Sequence, residues 1–277
     1  MSKDLLHYFI YALFFGITEF LGVSAPPHQL LYESMTGFDQ SDALLTLMIR
    51  IAVLAAVVFC CRTRIRRLMR ERRLAGLSRR RRNRQPDQIA LLDMQLLKTS
   101  MIPLLISVLF YKRAGEWINR VSLMTVTLLL NGALLFLPRL LSQGNKDGRS
   151  VSRLDGVLMG LGGALAAIPG FSRVGGIISA GTARGVDKGY ALETALLLSI
   201  PVLLGLLVFD VYAVIAAKIA ISAVGLLVYF LMGSVAFGGA WVGITFMRYL
   251  SVKAGITGFS YYSWGVGLFS FILYLMV

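Results

Sequence analysis

Six apolar runs, each about long enough to cross a bilayer, constrain this chain more than anything else in it. A helix needs about 20 apolar residues to span the hydrocarbon core. Residues 42–61, 91–111, 121–141, 191–209, 219–247 and 257–277 meet that length. The 219–247 stretch holds no Asp, Glu, Lys or Arg, and is long enough for one strongly tilted helix or for a span plus an interfacial piece. Two further apolar stretches are interrupted. Residues 5–40 contain Gly16, Gly22, Pro26 and Pro27, and residues 155–190 contain Gly162, Gly163, Pro169, Gly170, Gly175 and Gly176. Gly and Pro at this density break a helix inside the membrane, so both stretches are predicted to be re-entrant hairpins. The expected fold is an all-α integral membrane protein, with about six transmembrane helices plus two re-entrant helical hairpins, built as a single membrane domain over 1–277. Composition agrees: 57% of residues are hydrophobic and 15% charged, against about 25% charged in a soluble domain.

The formal net charge of +14 belongs to one segment. Between Arg62 and Arg84 there are 12 arginines and one acid, Glu71, while the rest of the chain has 16 bases against 13 acids. The positive-inside rule makes 62–90 an Arg-rich cytoplasmic loop. With the hairpins as drawn, 142–153, 184–190 and 248–253 also fall inside, giving 19 basic residues inside. Only five lie outside: Lys3, Lys112, Arg113, Arg120 and Lys218. The first hairpin then enters from outside and the second from inside. That is an inverted-topology repeat, whose binding site lies where the broken segments meet. A nucleic-acid reader would spread its bases over a folded polar surface, so nucleic acid is not an expected partner; the bilayer is, with anionic-lipid contact as an added role of the loop. Cys60 and Cys61 are neighbours in sequence and do not suit a disulfide. The start of the chain does not read as a signal peptide, since Asp4 offsets Lys3 and Glu19 interrupts the apolar run.

Ionisable groups within the apolar stretches are Glu19 and His28 in the first hairpin, Arg50 in the next helix, Arg173 in the second hairpin and Glu193 in the helix after it. Each charge at a helix centre costs about 2.5–3.5 kcal/mol, so each needs a reason. Glu19 and Arg50 could cancel as an internal pair, Glu193 could be wetted near a border, and His28 suits an interfacial or a catalytic role equally. Arg173 follows Pro169, Gly170, Phe171 and Ser172 and precedes Val174, Gly175 and Gly176. A break of this kind exposes backbone N–H groups at a helix start, which favours anions. Arg173 adds a fork suited to phosphate and Ser172 a hydroxyl. A phosphate or diphosphate on a lipid tail would satisfy both this anion site and its apolar walls.

At these residues the chain resembles the undecaprenyl-diphosphate phosphatase family of the bacitracin-resistance type, over nearly its whole length. The segment 169–179, PGFSRVGGIIS, carries the more specific likeness, and 16–28, GITEFLGVSAPPH, the second. Ala191 to Glu193 and the run ending at Pro201 add to it. The resemblance implies six spans, two re-entrant hairpins in an inverted repeat, and removal of the terminal phosphate from C55 polyprenyl diphosphate at the outer face of the bacterial inner membrane. That reaction recycles the lipid carrier of cell-wall synthesis. Carried over by position, Glu19 looks like a catalytic or metal-binding carboxylate, His28 like the general acid or base, and Ser172 and Arg173 like the diphosphate clamp, with Ser24 beside them. The family implies a divalent cation, Mg²⁺ or Ca²⁺. Three departures bear on this: Phe15 stands where the family has a second carboxylate, Ala25 where it has a second serine, and Arg50 where it has a glutamine. Arg50 is therefore expected to bind substrate and take over part of the cation's neutralising work. The rival class is transport, in which a chain with this anion clamp binds or flips a polyprenyl phosphate. Oligomeric state is not legible here.

Overall fold

The computed structural model describes residues 2–37, 42–78, 81, 84–110, 121–141, 144–218, 223–253 and 255–276. Residues 111–120, with Lys112, Arg113 and Arg120, lie outside them, as do Arg79, Arg80, Arg82 and residues 38–41 of the first expected hairpin. The described residues are all-helical, in the order α1 Ser2–Glu19, α2 Ala25–Thr36, α3 Ala43–Gly76, α4 Gln88–Leu109, α5 Val121–Leu140, α6 Arg153–Ala164, α7 Arg173–Ala183, α8 Lys188–Ala216, α9 Ala223–Lys253 and α10 Gly258–Met276. A 3₁₀ turn, Leu165–Ala167, follows α6. Five helices, α3, α4, α5, α8 and α9, are long and apolar enough to cross a membrane among the described residues. α10 occupies the last expected span. The protein is an all-α integral membrane protein.

Both interrupted stretches are helix–break–helix units, split where the Gly and Pro residues cluster. α2 opens with Pro26 and Pro27 in its first turn, where the missing N–H groups would have had no helical partner. Gly37 closes it in the left-handed region at φ 67, its N–H bonded to Glu33 O at 2.9 Å. The second unit is tighter: Gly162 and Gly176 pack backbone against backbone, so that a Cβ on either would strike the other's carbonyl. The uncharged 219–247 stretch forms one continuous helix from Ala223 onward, in place of a span plus an interfacial piece.

Packing is reciprocal between the halves. α1 lies on α9, the fourth helix of the second half, and α6 lies on α4, the fourth helix of the first. α3 packs on α8 and α9, while α5 packs on α10 and α7. This brings the ends of α1 and α6, each followed by its break, toward the start of α7.

The Arg-rich segment differs from the expected loop. α3 runs on for 15 residues past Cys61 to Gly76, about 22 Å beyond the span. Arginine is a good helix former, and Cys61, Leu68 and Glu71 are buried along one side while Arg62, Arg66, Arg70 and Arg73 face out. Glu71 is the anchor. Its carboxylate accepts from Arg84 Nη2 at 2.5 Å, from the Asp87 backbone N–H at 3.0 Å and from Arg70 Nε at 3.2 Å. These bonds, Arg84's first, hold its carboxyl down at about 2. The same end carries Asp93, which accepts from Tyr190 Oη at 2.6 Å and Arg64 at 3.4 Å, and buried Asp155, reached by Arg184 at 2.9 Å and Lys146 at 3.4 Å. Cys60 and Cys61 are free thiols.

Candidate active site

The two breaks cross. α1 ends at Glu19, and the chain turns through Phe20–Val23 into Ser24, the residue before α2. The second break runs from Ile168 to Ser172, passing Gly170 at φ 109. That conformation is strained for any residue with a Cβ, and a Cβ there would also collide with the Thr127 side chain. Four hydrogen bonds tie the breaks together. Ser172 Oγ donates to Leu21 O at 2.8 Å, and the Gly170 N–H donates to Ser24 Oγ at 3.3 Å. Asn131, buried in α5, accepts from the Ser172 N–H at 2.9 Å through Oδ1 and donates to Gly22 O at 3.3 Å through Nδ2, which also reaches Ser263 Oγ at 2.9 Å. One uncharged amide thus fixes both breaks against α5 and α10. Asn131 escapes a sequence search aimed at charges; its signal was an amide in the middle of an apolar span.

Ser172 has a structural task in this arrangement. It caps α7 by accepting from the Gly175 N–H at 3.1 Å while donating to Leu21 O. Its one O–H donor is committed, so it offers an anion no free proton. Arg173, the first residue of α7, forms an ion pair from Nη2 to Glu19 Oε1. The two side chains are only 10% and 13% exposed. Arg173 Nε is buried and has no hydrogen-bond partner among the described residues. Gln29 Nε2, from α2, is likewise buried and unpartnered. Both residues line a cavity of about 160 Å³, together with Glu19, Ser24, Arg50 and Ser172.

Arg50 joins that lining but is not the partner of Glu19. It pairs with Asp210 of α8, both side chains under 10% exposed, and its guanidinium lies 5.9 Å from the Phe15 ring centre. The sequence account omits Asp210; the expected Glu19–Arg50 pair gives way to two pairs, Glu19–Arg173 and Arg50–Asp210. A buried charge needs its own opposite within reach, and the second carboxylate of α8 supplies it. Glu193 is not left to water either: Arg248 holds it at 2.6 and 3.1 Å.

His28 stands apart from the charged cluster. It lines an adjoining cavity of about 320 Å³ whose walls are almost wholly apolar, Phe14, Leu31 and Phe269 among them. Phe15, Thr18, Ala25 and Gln29 border both spaces. His28 Nδ1 lies 2.6 Å from Ser24 O. A carbonyl only accepts, so Nδ1 carries the proton. Nε2 then faces the Tyr262 hydroxyl at 2.8 Å, the two rings stacked at 5.5 Å.

Among the described residues no group of three or more His, Cys, Asp or Glu side chains is placed to hold a metal ion. Glu19, the carboxylate of the cavity, already faces Arg173, and Phe15 one turn earlier has no ligand atom. Mg²⁺ and Ca²⁺ take about six or more oxygen ligands, several of them usually carboxylate or water. The described residues offer such a cation one carboxylate in this cavity, Glu19.

Fold and site together define a multi-pass membrane protein in which two helix breaks cross to frame an arginine-lined cavity that borders an apolar one. A family model described as "Bacitracin resistance protein BacA" matches residues 8–269, and the chain belongs to that family. It is similar to undecaprenyl-diphosphatase 1 of Shouchella clausii, 28% identical over 272 residues, covering 97% of this chain and 96% of the relative. It is also similar to the undecaprenyl-diphosphatase of Alkaliphilus metalliredigens, 28% identical with 91% and 92% covered. That of a Nocardioides species is 30% identical, with 75% and 74% covered.

Proposed function

We propose that the chain hydrolyses undecaprenyl diphosphate to the monophosphate and orthophosphate, with the outer leaflet supplying the lipid to the crossing of the two breaks. The observation that carries this is the buried Arg173, with its Nε unpartnered and its Nη2 on Glu19, in a cavity that borders an apolar one. The reciprocal packing of α1 on α9 and α6 on α4 supports an inverted-topology repeat, and such repeats place their sites where broken helices meet. The names of the relatives supply the substrate.

The terminal phosphate takes the Nε and Nη groups of Arg173 and displaces Glu19. The freed Glu19 carboxylate then takes a proton from the attacking water. The new P–O bond forms at the terminal phosphorus as the bridging P–O bond breaks, and the polyprenyl phosphate leaves toward the apolar cavity. His28 and Tyr262, bonded to each other through Nε2 and the hydroxyl, stand on that side and line the path of the departing lipid chain. Arg50, held by Asp210, adds positive charge to the wall as charge builds on the bridging oxygen. Positioning and neutralisation are most of what phosphoryl transfer asks of a protein. Ala25 offers no hydroxyl, and Glu19 stands in the cavity to activate water as the attacker.

The test is orthophosphate release from C55 diphosphate by the purified full chain, followed with the lipid product. One orthophosphate and one monophosphate lipid per diphosphate consumed is the expected result. Binding of the lipid diphosphate with no release over many hours would replace hydrolysis with carriage of the lipid. Sealed vesicles presenting the substrate from one side at a time test the outward-facing assignment.

A further inference from the structure

A third cavity, of about 270 Å³, lies at the end of α7 remote from Arg173. α7 has 11 residues, so about 16 Å separates the two ends. The ends of α5, α7 and α9, the start of α8 and the residues just before α10 wall this cavity, and its polar lining is Arg139, Lys188, Thr182, Ser251 and Thr257. None of its described lining residues is Asp or Glu. That sets it apart from its surroundings. Lys146 and Arg184 face Asp155, Arg64 faces Asp93, and Arg248 holds Glu193. Arg139 instead donates to the Tyr261 hydroxyl at 2.8 Å and lies 5.6 Å from the Phe136 ring centre, and Lys188 makes no ion pair with any described residue.

Thr182 and Ser251 already donate to backbone carbonyls, so two cations and the Thr257 hydroxyl, with no carboxylate among them, form a lining for a phosphate-bearing anion, the arginine as a fork and the lysine as a point charge. The remaining walls are apolar, with Ile178 and Ile256 inside and Leu141 at the rim beside the 69%-exposed Leu140. A free phosphate has no use for the leucines, whereas a lipid lays its chains along them. The cavity is also at the end of the bundle that carries the arginine extension of α3. Tyr190, two residues after Lys188, bonds to the same Asp93 that Arg64 reaches. We infer that this cavity binds the phosphate headgroup of an anionic phospholipid, at the opposite end of α7 from the hydrolytic site. Neither Arg139 nor Lys188 lines that site, so the inference stands whether or not the chain hydrolyses a diphosphate.

The experiment follows the thermal unfolding midpoint of the full chain, purified in neutral detergent, against added phosphatidylglycerol. Phosphatidylcholine and inorganic phosphate form separate arms. Phosphatidylglycerol is expected to raise the midpoint saturably and the other two to leave it unchanged at the same concentrations. The double variant Arg139→Gln/Lys188→Gln is expected to need roughly 30-fold more phosphatidylglycerol for half the response, and each single variant about fivefold more. The charge-keeping pair Arg139→Lys/Lys188→Arg should respond much as the parent chain does. Arg66→Gln, on the exposed side of the α3 extension, controls for general surface charge and should leave the response intact. An undiminished response in the Gln variants overturns the assignment. So does an equal loss in Arg66→Gln, which makes the effect one of surface charge, or an equal rise with inorganic phosphate, which makes the cavity a site for the free ion.

Discussion

Replacing Glu19 by Gln should tighten substrate binding while stopping turnover. In the structure Glu19 occupies Arg173, the group that the terminal phosphate must reach. Hydrogen bonds to a charged partner are worth about 1.5–3 kcal/mol, and neutral ones about 0.5–1.5 kcal/mol. Both side chains are close to nine-tenths buried, so solvent screens this difference little. Glutamine keeps a weak bond to Arg173 and loses the charge, which lowers the cost of substrate entry by about 1–2 kcal/mol. That corresponds to a roughly 5–30-fold lower dissociation constant. The same change removes the proton acceptor for water, and loss of a general base costs about 10²–10⁴ in rate. The assay pairs calorimetric binding of a short-tailed polyprenyl diphosphate with orthophosphate release on the same preparation. Weaker binding in Glu19→Gln would refute the reasoning, because it would mean that the carboxylate attracts the diphosphate, through a cation, instead of competing with it.

Other expectations follow from the same contacts. Asn131→Leu strands the Ser172 N–H and the Gly22 carbonyl in a buried place. It should cost about 2–5 kcal/mol of stability, read as a fall in the unfolding midpoint, with activity lost alongside. Asp210→Asn takes the Asp210 carboxylate from Arg50 and should destabilise by about 3–5 kcal/mol. The Arg50→Met/Asp210→Leu double variant should recover most of that stability while phosphate release still falls, separating the pair's charge from its packing. Glu71 gives a pH test at the arginine-rich end. Its folded value, about 2, lies below the ordinary carboxyl range, so its contribution is present above about pH 4.5 and fades as pH falls toward 2. Protection of the 84–90 amides in hydrogen exchange, corrected for intrinsic rate, should decline through that window, and Glu71→Gln should abolish the decline.

The spans and both breaks were legible because each is a local property of the chain: a run length for the spans, a cluster of Gly and Pro for the breaks. Arg173 and Glu19 were legible as isolated charges in apolar sequence. Their pairing was not, since it joins positions 154 residues apart through the crossing of two turns. Asp210 sits at the edge of the 191–209 run and was passed over, although Arg50 needed an opposite charge and α8 is the helix packed against α3. The α3 extension was missed for a different reason. A dense charge run reads as loop, yet its residues are helix formers and Cys61, Leu68 and Glu71 recur on one side. The family resemblance sets His28 beside Glu19 as a site residue. The Pro26–Pro27 start of α2 turns it instead toward Tyr262 and the apolar cavity.

The central claim is that Arg173, at the crossing of the two breaks, receives the phosphate that is cleaved. Orthophosphate release from C55 diphosphate by the parent chain, Arg173→Lys and Arg173→Ala, each shown to unfold at a similar temperature, tests it most directly. The account predicts release by the parent chain, a loss of about 10²–10³ for the lysine variant, which keeps the charge without the fork, and a further loss for alanine. An alanine variant that retains its rate within about tenfold would place the chemistry elsewhere in the molecule.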